Sequence, residues 1–285
     1  MHNKIAGTLL HPDPVVRRQA ANTIGMIGVR PDTAAMVVGT LTRSLNDPDP
    51  EVRVYLFSAL YRLGPYSKPA VPKAVEELKN PDPRIRRAAS TMIGNLLADN
   101  KDLMAVVISA LDDQDIGPDE KMPHLNSVSY RAMRYLNEQK LAAKDAAPKI
   151  IAIVNSKNGS DERRTHALGV LASIAPENPL PLKAARDWVQ NKQSAPDLVK
   201  AAIMMRRLGV HAKDAVPDLI GVLKMKPFAD TAVESTLKRV VLETLRAIGP
   251  AAKEALPTLE AMTTTDDLMI RTEILETIKI VRGKD

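Results

Sequence analysis

The sequence predicts an all-α protein, a right-handed α-solenoid of about eight stacked helical hairpins spanning residues 1–285. Three observations carry that prediction. A turn–helix–glycine–proline unit recurs at steps of 33 to 40 residues. Within each unit the apolar residues fall at steps of three and four, which places them on one helical face. No alternating β-branched run lies between the turns, so strands have no candidate. Composition agrees: aromatics are 3 % of the chain and cysteine is absent, which suits helices packed through small aliphatic contacts.

The clearest unit begins at Asp47-Pro48-Asp49-Pro50-Glu51-Val52-Arg53. Counting from Arg53, the residues 3, 7 and 10 positions later are Leu56, Leu60 and Leu63, and Gly64 follows. The same frame fits helices anchored at Arg17, Arg86, Asn126, Arg164, Leu198, Lys238 and Arg271, called A helices here. In His11-Pro12-Asp13-Pro14, Asp47-Pro48-Asp49-Pro50 and Asn80-Pro81-Asp82-Pro83, the second Asp is placed to cap the helix and the next Pro to occupy its first turn. Gly28, Gly64, Gly209 and Gly249 sit where a left-handed helix stop is wanted.

A second helix, B, follows each stop. Pro72, Pro217 and Pro257 open it 19 residues after the anchor, and Pro148 opens it after a longer link. Residues 2 and 6 beyond that proline are apolar, as in Leu219 and Leu223, and are assigned to the core. Hairpins this short cannot bury their own apolar faces and become stable by stacking on their neighbours. The predicted units are 1–10 (partial), 11–45, 46–79, 80–111, 112–155, 156–191, 192–226, 227–263 and 264–285 (partial), forming one solenoid domain. The chain thus starts on a B helix and ends on an A helix, which leaves room for end-to-end contact with another domain or subunit.

The block Leu45 to Arg53, with Leu60-Tyr61-Arg62-Leu63-Gly64-Pro65 and Ala70-Val71-Pro72, resembles the HEAT repeat. It is most similar to the bacterial phycobilisome-lyase HEAT-like subtype. The resemblance covers essentially the whole chain and is weakest in the fourth unit. It implies a curved helical scaffold that binds a partner along the surface formed by the B helices. It also implies that the recurrent arginines Arg17, Arg53, Arg86, Arg164 and Arg271 are structural and bond to acids of the inter-helix loops. Asp13, Asp49 and Asp82, four residues ahead of three of them, are the expected acids. The replacements Asn126, Leu198 and Lys238 interrupt any such ladder, so stability is expected to dip in units 4 to 6.

Function is expected where the pattern fails. Trp188, the only tryptophan, lies 5 residues past the usual B-helix proline position, level with Ile153, Val222, Met262 and, nearer the N-terminus, Glu77. The apolar members Ile153, Trp188, Val222 and Met262 form a candidate partner-binding ladder, Trp being the commonest interface anchor. The alternative is that Trp188 fills a gap in an irregular unit whose B helix begins with Pro179 and Pro181. The acidic stretch 112–124 suggests a cation loop, but its spacing fails the EF-hand pattern, and a solvated loop is the simpler expectation.

The remaining chemistry is excluded by what is missing. No cysteine means no disulfide, thiolate metal site or cysteine nucleophile. The five histidines include no helical metal-ligand pair, and no phosphate loop or nucleophile elbow occurs. His166 is assigned a packing or solvated role. No enzyme activity, cofactor or metal is therefore expected, and the partner is expected to be a protein or peptide. Net charge is +6 with the basic residues dispersed, so a nucleic acid is disfavoured. No apolar run reaches the roughly 20 residues of a membrane span, and no signal-peptide segment is present, so a cytoplasmic location is expected. The alternatives are a maturation factor like the lyase relatives, a solenoid binding an anionic polymer, or a spacer module of a larger enzyme.

Overall fold

The Asp-Pro-Asp-Pro turns start helices in the way their chemistry dictates. In the computed structural model, which describes residues 7–97, 101–115, 117, 126–156, 161–191, 194–225 and 231–283, Asp13, Asp49 and Asp82 are extended N-caps. Their carboxylates accept backbone N–H groups of the first helical turn, and Pro14, Pro50 and Pro83 occupy the first helical position. Gly28, Gly64, Gly209 and Gly249 take φ between 55° and 72°, the left-handed conformation that stops a helix without a Cβ clash. The described residues contain helices and turns and no strand. The fold is an all-α solenoid of HEAT-like helical hairpins.

The chain divides into two compact units, Met1–Gln139 and Lys140–Asp285. In the first, A helices α1 (Pro14–Ile27), α3 (Pro50–Arg62), α5 (Pro83–Leu96) and α7 (Val128–Gln139) alternate with B helices α2 (Pro31–Ser44), α4 (Val71–Glu77) and α6 (Met104–Ser109). Successive A helices pack on one another, and Ile24, Leu56, Phe57, Ile85, Met92 and Leu136 are buried between the layers. Of the opening B helix, residues 1–6 lie outside the described residues, whereas Leu9 is buried.

In the second unit, B helices α8 (Ala147–Val154), α10 (Pro179–Asn191), α12 (Val216–Leu223) and α14 (Leu256–Ala261) alternate with A helices α9 (Asp161–Ile174), α11 (Ala195–Leu208), α13 (Thr231–Ile248) and α15 (Leu268–Val281). One apolar cluster runs from Leu168 to Val281 through Leu198, Leu219, Leu245 and Ile274. Burial of this kind is worth roughly 25 cal/mol per Å² and holds repeats together that would not fold singly.

Between A stop and B start, four repeats carry a seven-residue 3₁₀ segment: Gly64–Ala70, Lys140–Ala146, Gly209–Ala215 and Gly249–Ala255. A 3₁₀ turn has three residues, so side chains three apart line up on one side. The paired positions are Ser67 and Ala70, Ala143 and Ala146, Ala212 and Ala215, and Ala252 and Ala255, and all eight are fully buried. Only small side chains fit that inner edge. The fifth repeat lacks the segment: α9 gives way through Ala175-Pro176-Glu177-Asn178 to α10, where Asn178 accepts the Leu180 N–H at 3.0 Å.

The fourth repeat corrects the sequence alignment. Its equivalent of Arg53 is Ser129, not Asn126, three residues on. From Ser129, the buried Ala132 and Leu136 fall 3 and 7 later, and Lys140 with φ 50° takes the glycine stop 11 later. Pro148 then stands 19 residues on, as in the other repeats, and the longer link disappears. The error arises because three residues are nearly one helical turn, so a frame displaced by that amount still meets apolar positions.

Candidate functional site

The recurrent arginines fasten turns and neighbouring repeats. Arg17 donates to the carbonyls of His11 and Pro12, both at 2.8 Å, and makes a two-pronged pair with Asp47 of the next repeat, Nε to Oδ2 at 2.6 Å. Arg86 repeats this with the carbonyls of Asn80 and Pro81 and with Asp113, Nε to Oδ2 at 2.8 Å. Arg53 lies 3.8 Å from Glu77. Arg164 donates to the Ser156 carbonyl and pairs with Asp161, and Arg271 donates to the Thr265 carbonyl. The expected acids Asp13, Asp49 and Asp82 are not these partners, because their carboxylates are taken by backbone N–H groups. Burial opposes ionisation of Asp47, but the Arg17 hydrogen bond and the Asp49 N–H outweigh it and hold the carboxyl below its usual pKa.

The acidic stretch is partly accounted for in the same way. Asp113 pairs with Arg86. Asp115, whose side chain is 3 % exposed, accepts both prongs of Arg87, at 2.6 and 3.0 Å, and the N–H groups of Gly117 and Val128. These bonds overcome the burial penalty and lower its pKa. Residues 116 and 118–125 lie outside the described residues. Among the described residues no group of three or more His, Asp or Glu converges as a metal site would require, and no helix is long and apolar enough to cross a membrane.

In repeat 2 the ladder position faces the A helix of its own repeat: it holds Glu77, buried and close to the anchor Arg53. In repeat 6 the anchor is Leu198 and the ladder residue Val222, and both lie in the buried cluster. Where repeat 2 has an ion pair, repeat 6 thus has two buried apolar residues. Val222, at 8 % exposure, is core and offers almost nothing to a partner. Ile153, Trp188 and Met262 are half-buried, with Trp188 and Met262 packed against the cluster.

Trp188 nevertheless borders a cleft of about 190 Å³ in the second unit, with Thr165, His166 and Gly169 of α9 and Lys200, Ile203, Met204 and Arg207 of α11. Gly169 is what admits the arginine: a Cβ there would stand 2.7 Å from Arg207 Nη1, which donates to the Gly169 carbonyl at 3.1 Å. Burial first, and then the charge of Arg207, push the His166 pKa down to about 4. His166 is therefore a neutral packing group near neutral pH. The cleft combines an indole, two aliphatic side chains and two cations.

A larger groove, about 570 Å³, lies in the first unit and is lined wholly by A-helix residues. Of its three aromatic residues, Tyr55 and Tyr61 are 40 % and 41 % exposed and Phe57 is buried. Four guanidinium groups, Arg62, Arg84, Arg87 and Arg131, share it with a single acid, Glu51. Nothing in the repeat periodicity marks these residues. The available signal was compositional: all five tyrosines fall between residues 55 and 135.

No family model matches the sequence, and no curated protein matches it. Two solved structures of importin β share the fold, at 14 % identity with TM-score 0.56 and at 12 % identity with TM-score 0.60. They cover 98 % and 97 % of this chain, and the chain spans about two fifths of theirs, 42 % and 41 %. The complex of CpcE and CpcF of phycocyanin lyase from Nostoc sp. PCC7120 is 17 % identical over 99 % of this chain and 94 % of that one. Its TM-score of 0.48 carries no functional argument.

Proposed function

We propose that the protein is a non-catalytic helical-repeat scaffold that binds a protein or peptide partner, with the Trp188 cleft as one contact. The observation that carries the proposal is the placement of the single tryptophan. It is neither sealed in the core nor free on the surface, but forms one wall of an open cleft beside Ile203, Met204 and Arg207. Tryptophan in such a setting anchors interfaces out of proportion to its area. The fold supports the same reading, since stacked hairpins provide extended surface.

The test uses the tryptophan as its own reporter. Partners captured from native extract by the full chain are identified, purified and titrated against the protein while Trp188 emission is followed. Binding should shift the emission, and Trp188→Ala should weaken affinity by about tenfold or more, the scale of an interface anchor, with far-UV helicity unchanged. Undiminished affinity together with loss of cooperative unfolding would assign Trp188 to the core alone.

A further inference from the structure

The charge of the first-unit groove is unevenly compensated. Glu51 pairs with Arg18, Arg84 with Asp82 at 2.7 Å, and Arg87 with Asp115 at 2.6 Å. That leaves Arg62 and Arg131, whose described partners are neutral. Arg62 donates to Asn22 Oδ1 at 2.9 Å. Arg131 donates to the Asn126 carbonyl at 3.0 Å and to Thr91 Oγ1 at 2.7 Å. Burial, with Arg134 and Arg87 nearby, draws the Arg131 pKa below the usual arginine value. It remains a cation, and no carboxylate among the described residues stands against it. A partly desolvated guanidinium without a counter-charge gains more from an incoming carboxylate than an exposed one does.

We propose that this groove binds an acidic peptide segment of a partner protein, with Arg62 and Arg131 each taking a carboxylate and Tyr55 and Tyr61 packing on the peptide between them. The two arginines project from α3 and α7, which flank α5. Neighbouring helix axes lie about 8–10 Å apart, so the pair addresses two carboxylates several residues apart along an extended chain rather than one anion. Arginine suits the task because its planar fork grips a carboxylate with two parallel bonds. Tyrosine supplies a rigid surface with a polar tip. A volume of about 570 Å³ is within the range of ligand-sized sites. Val54 and Ala88 line the groove as well and favour small apolar residues between the acids. The groove lies on different helices from the Trp188 cleft, and the proposal does not depend on that cleft.

The probe is a fluorescein-labelled eight-residue peptide of alternating Glu and Ala, titrated against the full chain by anisotropy at fixed moderate salt. Saturable binding is expected, weakened about tenfold or more when every Glu is replaced by Gln and by about the same in Arg62→Gln. Arg131→Gln should act likewise; because Arg131 also holds Thr91 and Asn126, Arg62→Gln, which gives up only the exposed bond to Asn22, decides the matter if the Arg131 variant unfolds. Arg30→Gln, an equal charge change outside the groove, should leave binding unchanged. No binding of the Glu peptide overturns the proposal, as does equal affinity for its Gln counterpart. Equal loss in Arg30→Gln reduces the effect to net charge and also overturns it. Tighter binding of labelled oligo(dT) with steep salt dependence overturns it in favour of a nucleic acid.

Discussion

Asp115 shows how much structure one side chain can carry. Its carboxylate joins α5 to α7 through Arg87, Gly117 and Val128 in a nearly water-free setting. Breaking a buried pair leaves the remaining charge uncompensated, which costs about 3–5 kcal/mol. Asp115→Asn should therefore destabilise the first unit by about 3 kcal/mol in urea unfolding, whereas Asp32→Asn, in an exposed pair with Arg30, should change stability little. His166 gives the matching prediction for pH. The native state takes up its proton only near pH 4, the unfolded chain near its ordinary value of about 6.5. Between those values the unfolded chain holds more protons, so stability should fall as pH drops through that window, by roughly 2 kcal/mol after discounting for partial exposure. His166→Gln should flatten this part of a pH–stability profile. The packing role of His166 was one of the two expected from sequence, whereas the role of Asp115 was not legible there. Asp115 read as one acid in a solvated loop because its partner Arg87 is 28 residues away, and proximity of that kind is invisible to periodicity.

Elements were far easier to read, because their signals are local. Caps, proline starts and glycine stops were visible at Asp49, Pro50 and Gly64, since each acts on its own turn. The misplaced frame of the fourth repeat failed for an equally physical reason. Asn126 and Ser129 differ by nearly one helical turn, and only the distal marks, Lys140 and Pro148, separate the two alignments. The 3₁₀ segments were read as links although their small residues three apart recur in four repeats. Helix approach also depends on a single residue at Gly94, where an added Cβ would lie 2.0 Å from the Tyr135 ring. Gly94→Ala should push α7 from α5 and lower the thermal midpoint by several degrees, the scale of an overpacking cost of about 1–3 kcal/mol. Tyr135→Leu in the same chain should recover part of that loss. If the single variant melts at the native temperature, α5 and α7 do not approach as described.

For the molecule as a whole, the division between Gln139 and Lys140 falls inside the fourth repeat, between its A helix and its 3₁₀ segment. Amide exchange should accordingly show two cooperative units with lowest protection in that repeat. Repeat 6 should be protected as well as repeat 2, because Leu198 and Val222, at the positions of Arg53 and Glu77, are both buried in the apolar cluster. Exchange-labile helices throughout repeats 4 to 6 would show that the missing arginines matter more than the apolar pair that replaces one of them. Fold class was legible because a repeated unit states its architecture many times. The groove proposed to take the peptide was less so, since Tyr55, Tyr61 and Arg62 on α3 meet Arg131 on the distant α7 and obey no repeat rule. The forward reach of the anchors has one more consequence. Arg17 finds its acid in the following repeat, at Asp47, and Arg86 finds Asp113. A hairpin of this kind is thus completed by its successor, like a brick whose mortar arrives with the next course. Because Asp47 lies outside the 11–45 unit and His11 stands at its position, a tandem copy of that unit would leave the first Arg17 without its acid, whereas an inserted copy of 46–79 would supply one. Lengthening such a protein is therefore gentlest where the added unit opens on an acid.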